Sequence, residues 1–171
     1  MVRRSANPTI HAEMWLYRAL DCLGQGKLPK AKWLLNRATS WASRGIELQK
    51  SEEVAVSAAF VDLHLGNLDH ARSQFQQCLD MGRRRGVENT VCWGELGLAR
   101  LEMMAWNFEA ARLHLDRAQL LRVDSLSEIE LLGLGSMIRF NLGQTTEALR
   151  LAEACVRLCG TGGGPNFSVI N

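Results

Sequence analysis

Histidine and cysteine are the residue types in this sequence that could hold a metal or act as nucleophiles. Cys155 and Cys159 lie four residues apart on one helical face, but no second pair follows to complete a tetrahedral site. No histidine has the spacing of a metal-binding motif such as His-Glu-x-x-His, and no serine or cysteine stands in a nucleophile elbow. The four histidines are His11, His64, His70 and His114. We therefore expect no catalytic residue, no metal and no cofactor, and predict that the protein is not an enzyme.

A short motif that occurs four times sets the framework for any binding residue. The copies span 26–31, 66–71, 106–111 and 143–148, at spacings of 40, 40 and 37 residues. Three copies begin with Gly and the third begins with Trp106, while every copy ends in Ala. A period this regular predicts a stacked repeat protein.

Each copy is interpreted as the bend of a helix hairpin. Gly ends one helix because it adopts the left-handed conformation at little cost, and the small Ala lets the returning helix approach closely. The positions four and seven residues after the Ala are apolar in every copy, which places them on one helical stripe. These residues are Leu35, Phe75, Leu115, Ala152, Ala38, Cys78, Ala118 and Cys155.

The pattern predicts an all-α fold of four antiparallel hairpins. The outgoing A helices are predicted at 9–24, 51–65, 89–105 and 126–142, and the returning B helices at 28–44, 68–84, 108–122 and 145–159. Several helix ends have residues with capping chemistry. The predicted N-caps are Ser51, Asn67, Asn89, Asn107 and Ser125, and Gly160 is the predicted stop of the last helix.

Composition excludes several classes of protein. Lys and Arg number 20 against 18 Asp and Glu, so the basic surplus of a nucleic-acid or anionic-membrane binder is missing. No apolar stretch is long enough to span a bilayer. The five cysteines are an odd number without a Cys-x-x-Cys motif, which favours buried, reduced thiols and a cytoplasmic location.

The chain ends differ in composition from the repeats. Residues 1–8 are expected to be a flexible N-terminus without a secretory signal, and 9–159 to be the helical repeat domain. Residues 160–171 are expected to be a Gly-rich flexible tail, because 160–164 have the composition of a linker. Whether the chain is a whole protein or part of one is left open.

The repeated residues resemble the tetratricopeptide repeat: a small residue at the turn, then Ala, a large apolar residue four later and a small one seven later. The resemblance covers about residues 9–159, and Trp15 keeps the aromatic residue of the family's first helix. That family has a period of 34 residues, whereas the period here is mostly 40. The long variant resembles repeats of polarity scaffolds, peptide-sensing bacterial regulators and ATP-dependent transcription activators.

The resemblance implies a right-handed superhelix, an α-solenoid, whose A helices line a concave groove that binds a peptide or partner helix. The projected groove is largely apolar, with Met and aromatic side chains. Its partner-binding positions are Glu13, Tyr17, Leu20, Glu53, Phe60, His64, Trp93, Arg100, Met104 and Met137. Leu16, Val56 and Leu96 are expected in the core instead. For Tyr17, Phe60, His64, Trp93 and Arg100, exposure in the groove and burial between helices both remain open.

Two further features suggest contacts outside the groove. Trp33 lies off the buried stripe of its helix, and Trp106 replaces the Gly of the turn, so each is a possible surface contact; the alternative for both is local packing against a neighbouring hairpin. Leu149 and Val156 place apolar side chains off the stripe of the last helix. A terminal repeat normally turns a polar face to water, so this face predicts a folded-back tail, a second copy, or a continuation of the chain.

The function predicted from these observations is a protein-interaction module or adaptor. An apolar groove would hold a peptide or amphipathic helix, with Arg100, Glu13 and Glu53 setting its register. Two alternatives stay open: a ligand- or peptide-sensing regulatory domain of a larger signalling protein, and a chaperone for a secreted or assembling partner. The expected partner is another protein, not nucleic acid or membrane, with a homo-oligomer possible through a terminal face. Its identity is not given by the sequence.

Overall fold

The structure is a computed structural model that describes residues 7–43, 48–121 and 124–161. This part of the chain forms eight helices: α1 Pro8–Gly24, α2 Leu28–Ala42, α3 Leu48–His64, α4 Leu68–Arg85, α5 Glu88–Met104, α6 Phe108–Ala118, α7 Ser125–Asn141 and α8 Thr145–Thr161. The prediction of an all-α fold of helix hairpins is confirmed. Across these residues, no helix combines the length and the apolar character needed to cross a membrane.

Several predicted helix ends are wrong. Ser51 lies inside α3, which begins three residues earlier, at Leu48. Asp124 caps α7 in place of Ser125, because its side chain accepts a hydrogen bond from the Ser127 N–H at 2.8 Å. Helix α8 continues through Gly160 to Thr161. The predicted flexible segments 1–8 and 160–171 otherwise lie outside the described residues, apart from Asn7 and Pro8 at the start of α1.

The predicted asparagine caps make hydrogen bonds elsewhere. Asn89 lies within α5, and its amide donates to Asp124 and accepts from the Ser127 hydroxyl, which ties α5 to α7. Asn107 occupies the cap position of α6 without a cap hydrogen bond, and donates to Glu102 at 3.1 Å. Asn67 likewise donates to Asp62 at 2.8 Å. Asn89 thus joins α5 to the start of α7, whereas Asn67 and Asn107 bond carboxylates five residues earlier, in the last turns of α3 and α5.

All four repeat turns have the same backbone. The residue at the first motif position has a positive φ of 69° at Gly26, 79° at Gly66, 61° at Trp106 and 76° at Gly143. Its N–H bonds to the carbonyl three residues back, and the next N–H bonds five residues back, as for Lys27 to Cys22 at 2.8 Å. This is the Schellman motif, which satisfies carbonyls at a helix end. It ends each A helix, and the B helix begins two residues after the left-handed residue.

The chain divides into two compact units, Met1–Gln74 and Phe75–Asn171. In the first unit, α1, α2 and α3 pack against one another in pairs. The core contains the motif residue Ala31 and the stripe residues Leu35 and Ala38, all buried, with Leu16 from α1 and Val54 from α3. The burial of the predicted stripe in this hairpin is confirmed.

A buried carboxylate links three helices of the first unit. Asp62 of α3 is almost fully buried and accepts hydrogen bonds from Lys32 of α2 and from Asn67. The Nδ1 atom of His70, on α4, lies 2.9 Å from its second oxygen. Burial alone would raise the pKa of Asp62, but the hydrogen bonds from Lys32, Asn67 and His70 together outweigh it and hold the pKa below its ordinary value.

In the second unit, the hairpins α5–α6 and α7–α8 pack through α5–α7 and α6–α7 contacts. The core contains Ala111, Leu115 and Ala118 of the predicted stripe, with Leu96 from α5 and Ile138 from α7. Glu95 is a second buried carboxylate: Arg83 of α4 donates to one oxygen at 3.1 Å, and His114 Nδ1 of α6 lies 2.6 Å from the other. The stripe is less complete in α8, where Ala152 and Cys155 are only partly buried.

Helices α4 and α5 approach closely because two glycines of α5 face bulky side chains of α4. A Cβ atom on Gly97 would lie 2.2 Å from a ring carbon of Phe75, and one on Gly94 would lie 2.8 Å from Leu79. Phe75 is fully buried and has no room to move aside. The absence of a side chain at Gly97 is therefore a packing requirement.

We expect Gly97→Ala to lower the free energy of unfolding by at least about 2 kcal/mol, because overpacking a filled core displaces Phe75 or separates the helices. Gly133→Ala is the matched control, since its Cβ would meet only Cys155 Sγ at 3.8 Å. Because Ala is the better helix former, the control should gain up to about 1 kcal/mol. Urea unfolding followed by circular dichroism measures both. Equal stabilities for the two variants would contradict the close approach.

The Asp62 network predicts acid-dependent stability. Because the folded-state pKa lies below the unfolded one, the contribution of Asp62 is complete above the unfolded pKa of about 4 and is lost as pH falls through the folded pKa. Asp62→Asn should destabilise the protein at neutral pH by about 1–3 kcal/mol. That deficit should shrink as pH falls below 4. Asp80→Asn, at an exposed carboxylate that bonds only to Gln76 among the described residues, should show neither effect. Urea unfolding from neutral pH to below about pH 4 measures the stability deficit and its dependence on pH.

Candidate functional site

The predicted groove positions of the first unit lie on α1 and α3, which contact each other. Tyr17 of α1 is 60% exposed, and Leu20 and His64 are also exposed. Phe60 of α3 is partly exposed. The two glutamates predicted to set register, Glu13 and Glu53, are also partly exposed. Their role in binding stays a prediction.

The groove positions of the second unit lie on α5 and α7. Met104 and Met137 are exposed, whereas Trp93 is partly buried against the core that contains Leu96. Leu96 is buried, as are Leu16 and Val56 of the first unit, so the prediction that these three belong to the core is confirmed. Among the five positions left open between groove and core, none is fully buried.

Arg100 already has a partner within the second unit. One of its terminal nitrogens lies 2.7 and 2.6 Å from the two carboxylate oxygens of Glu130, on the neighbouring helix α7. Both side chains are partly exposed, so the pair lies at the surface. A partner carboxylate that uses Arg100 would therefore have to compete with Glu130. The sequence did not reveal this pair, because Glu130 is thirty residues away in the chain.

Trp106 is the residue at which sequence and backbone geometry conflict most. It adopts a φ of 61°, a conformation that costs an L-residue about 1–2 kcal/mol, at a turn where the other three repeats have Gly. Its indole packs edge-on against Phe108, with ring centroids 5.7 Å apart, yet the residue is 78% exposed. Local packing does not explain a strained, exposed tryptophan. Such strain concentrates at functional sites.

Trp106 and Phe108 form one side of an open cleft in the second unit, of about 620 Å³. The opposite side comes from α7 and α8, where Phe140 is 64% and Leu149 60% exposed. The lining residues are mostly apolar: Met103, Trp106, Phe108, Ser136, Met137, Phe140, Asn141, Thr145, Ala148, Leu149 and Ala152. Together the exposed members form an apolar surface of the kind that marks binding sites.

Two polar side chains of the cleft are already engaged in local hydrogen bonds. The Ser136 hydroxyl donates to the carbonyl of Ala148 at 2.9 Å, and the Asn141 amide donates to the carbonyl of Met137 at 2.8 Å. With these donors occupied, the cleft offers mainly apolar contacts. It therefore suits an apolar side chain of a partner better than a polar small molecule.

The cleft brings together residues that the sequence analysis singled out for separate reasons. Trp106 stood in the Gly position of a turn, Met137 was a groove position, and Leu149 lay off the stripe of α8. Their meeting was not predicted, and neither was the contribution of Phe108 and Phe140. Phe140 lies three residues before Gly143, at a position that is apolar in every repeat. It differs from the residues at this position in the other repeats because it is exposed. Val156 is also exposed, which confirms the predicted apolar surface of α8.

The prediction of buried thiols holds for Cys22, Cys78 and Cys92, but it is wrong for Cys155, which is only partly buried, and for Cys159, which is exposed near the end of α8. Desolvation, with smaller effects from Asp124 and Glu95, raises the pKa of Cys92 to about 12. Such a thiol is a poor nucleophile at neutral pH. Within the described residues, no three or more His, Cys, Asp and Glu side chains are grouped so as to hold a metal ion.

The backbone strain at Trp106 predicts an inverted order of stability between two variants. Trp106→Gly removes both the indole and the strain, whereas Trp106→Ala removes the indole and keeps a Cβ at positive φ. We expect the Gly variant to be about 1 kcal/mol more stable than the Ala variant. At Ala105, one position earlier and at a negative φ, Gly should be no more stable than Ala. Thermal and urea unfolding measure these stabilities. A Trp106→Ala variant that is more stable than Trp106→Gly would contradict the strain.

Comparison with known proteins identifies no family, because no family model matches the sequence and no curated protein matches it. The chain does resemble a solved structure, the crystal structure of BtubC (BKLC) from P. vanneervenii. The two share 19% sequence identity with a TM-score of 0.65, over 96% of this chain and 70% of that chain. At this identity the likeness concerns the fold alone. The chain has an all-α, helical-repeat fold that it shares with that protein.

Proposed function

We propose that the protein is an interaction module of the tetratricopeptide type, and that the cleft of its second unit holds an apolar anchor from a partner protein. The anchor is one or two large apolar side chains of an amphipathic helix or an extended peptide. The observation that carries the proposal is Trp106, which is 78% exposed despite its strained backbone. The proposal assigns no catalytic step to the protein.

The shape and chemistry of the cleft support this occupant. Trp106, Phe108, Phe140 and Leu149 all line a cleft that is open to solvent, so an extended or helical segment can reach these side chains. Aromatic residues are enriched among the side chains that dominate binding energy, because they bury a large area with few rotatable bonds. Met137 adds a flexible side chain that adapts to different partner shapes.

The cleft also continues the predicted groove. Met137 lines the cleft and is one of the projected groove positions, and Met104 lies next to the turn that holds Trp106. A partner segment seated in the cleft would thus extend onto the face of α5 and α7. There the Arg100–Glu130 pair offers polar contacts that could orient it. In this proposal the cleft supplies the affinity, and the ion pair sets the orientation of the bound partner segment.

A displayed peptide library selected against the protein tests the proposal. We expect the selected peptides to share large apolar residues at helical or alternating spacing. Binding of these peptides should weaken about tenfold or more in Trp106→Gly and in Phe140→Ala, as for central interface residues. Fluorescence polarisation with labelled peptides measures these affinities.

Leu120→Ala is the matched control, because Leu120 is the most exposed large apolar residue of the second unit and does not line the cleft. Its affinity should equal that of the original protein. Peptides that bind all four proteins equally would place the site elsewhere, and a selected set without apolar anchors would reject the proposed occupant. Trp106→Gly is suited to the test because it relieves strain, so weaker binding is not due to unfolding.

A further inference from the structure

The first hairpin displays a cluster of aromatic rings outside both the predicted groove and the cleft. Trp15 of α1 and Trp33 of α2 meet at a right angle, with ring centroids 5.9 Å apart. Beside them, His11 stacks on Trp41 at 4.5 Å, with 19° between the rings. Trp33 is 51% exposed, so its ring is available to a partner. The cluster therefore joins α1 to α2.

Two arginines lie over these indoles. The guanidinium of Arg18 is 5.2 Å from the ring centroid of Trp15, and that of Arg37 is 5.1 Å from that of Trp33. Both side chains are exposed, and neither has a carboxylate partner within the described residues. Cation–π contact holds the guanidinium over the ring, while its N–H groups remain able to donate hydrogen bonds. The structure thus holds two anion-binding groups ready in position.

The charge around the cluster is positive. Between them α1 and α2 carry four Lys and Arg against two carboxylates, Glu13 and Asp21. Asp21 accepts a hydrogen bond from Gln25, and Lys32 is engaged with Asp62. Lys30, exposed and one helical turn from Trp33, adds a third cation to the two arginines. The surface is complementary to an acidic segment.

This surface is separate from the predicted groove face of α1. Trp15 and Tyr17 are two residues apart, which places them about 200° apart around the helix. Tyr17 belongs to the groove face with Glu13 and Leu20, so a ligand on that face would not cover Trp15 and Trp33. A ligand of the arginine–tryptophan surface would therefore be separate from a ligand of the groove.

We propose that Arg18, Arg37, Lys30 and Trp33 form a docking surface for an acidic segment of a partner protein. The aspartate or glutamate side chains of this segment accept charge-assisted hydrogen bonds from the two guanidinium groups. Nucleic acid fits less well, because its phosphate backbone is normally met by a longer row of cations and the whole chain has a net charge of only +2. This inference concerns the first unit and does not depend on the cleft proposal.

The test uses fluorescein-labelled deca-glutamate as the ligand and fluorescence polarisation as the measurement. The variant Arg18→Gln/Arg37→Gln should bind about tenfold more weakly, since it loses two charge-assisted contacts. The matched control is Arg84→Gln/Arg117→Gln, which removes two exposed arginines without ion pairs among the described residues. The control has the same net charge as Arg18→Gln/Arg37→Gln, yet it should retain nearly all of the affinity for deca-glutamate.

Trp33→Leu separates stacking from simple charge attraction, because it removes the ring under Arg37 and leaves every charge in place. We expect about threefold weaker binding, the size of an exposed cation–π contact. Circular dichroism melts should show that all variants are folded.

Three results would overturn the proposal: no binding of deca-glutamate by the original protein, equal losses in the two arginine pairs, or an unchanged affinity in Trp33→Leu. Labelled oligothymidylate is measured in parallel at the same salt concentration. Tighter binding of that ligand through Arg18 and Arg37 would make the surface a nucleic-acid site, which also contradicts the proposal.

Discussion

The left-handed residue at the end of each A helix is the constraint on which the repeat architecture depends. It reverses the chain within three residues, and its N–H and the next one satisfy carbonyls that the helix end would leave unpaired. The reversal places a buried Ala against the preceding helix in all four repeats: Ala31, Ala71, Ala111 and Ala148. Glycine meets this requirement at little cost in three turns. At Trp106 the same conformation is kept at a cost in free energy, and such strain concentrates at functional sites.

The two proposed surfaces use opposite physical chemistry. The cleft of the second unit is mostly apolar, so its affinity would come from removing apolar area from water. The hairpin surface of the first unit presents guanidinium groups on indoles, so its affinity would come from charge and weaken with salt. The buried carboxylates of Asp62 and Glu95 hold neighbouring helices of each unit together through ion pairs. These carboxylates support the scaffold, while the exposed groups remain available for recognition.

Residue patterns were informative where the cause is local. The period predicted all eight helices, because helix ends and apolar stripes follow from residues within a few positions of one another. Capping residues were predicted less well, since Asn89, Asn67 and Asn107 form hydrogen bonds with residues of neighbouring helices or turns instead. Trp106 could be singled out from its slot alone. That it would meet Phe140 and Leu149 in one cleft could not be predicted, because each of these residues lies on a different helix.

The sequence by itself determined the all-α repeat, the position of each turn and the buried stripe of the first three B helices, since a period of about 40 residues and the residue types at each turn leave one consistent arrangement. Only the tertiary structure decided which side chains meet. Arg100 pairs with Glu130, Arg37 lies over Trp33, and Phe75 occupies the space beside Gly97. Such contacts depend on the rotation and spacing of packed helices, which side-chain volumes across several elements set together.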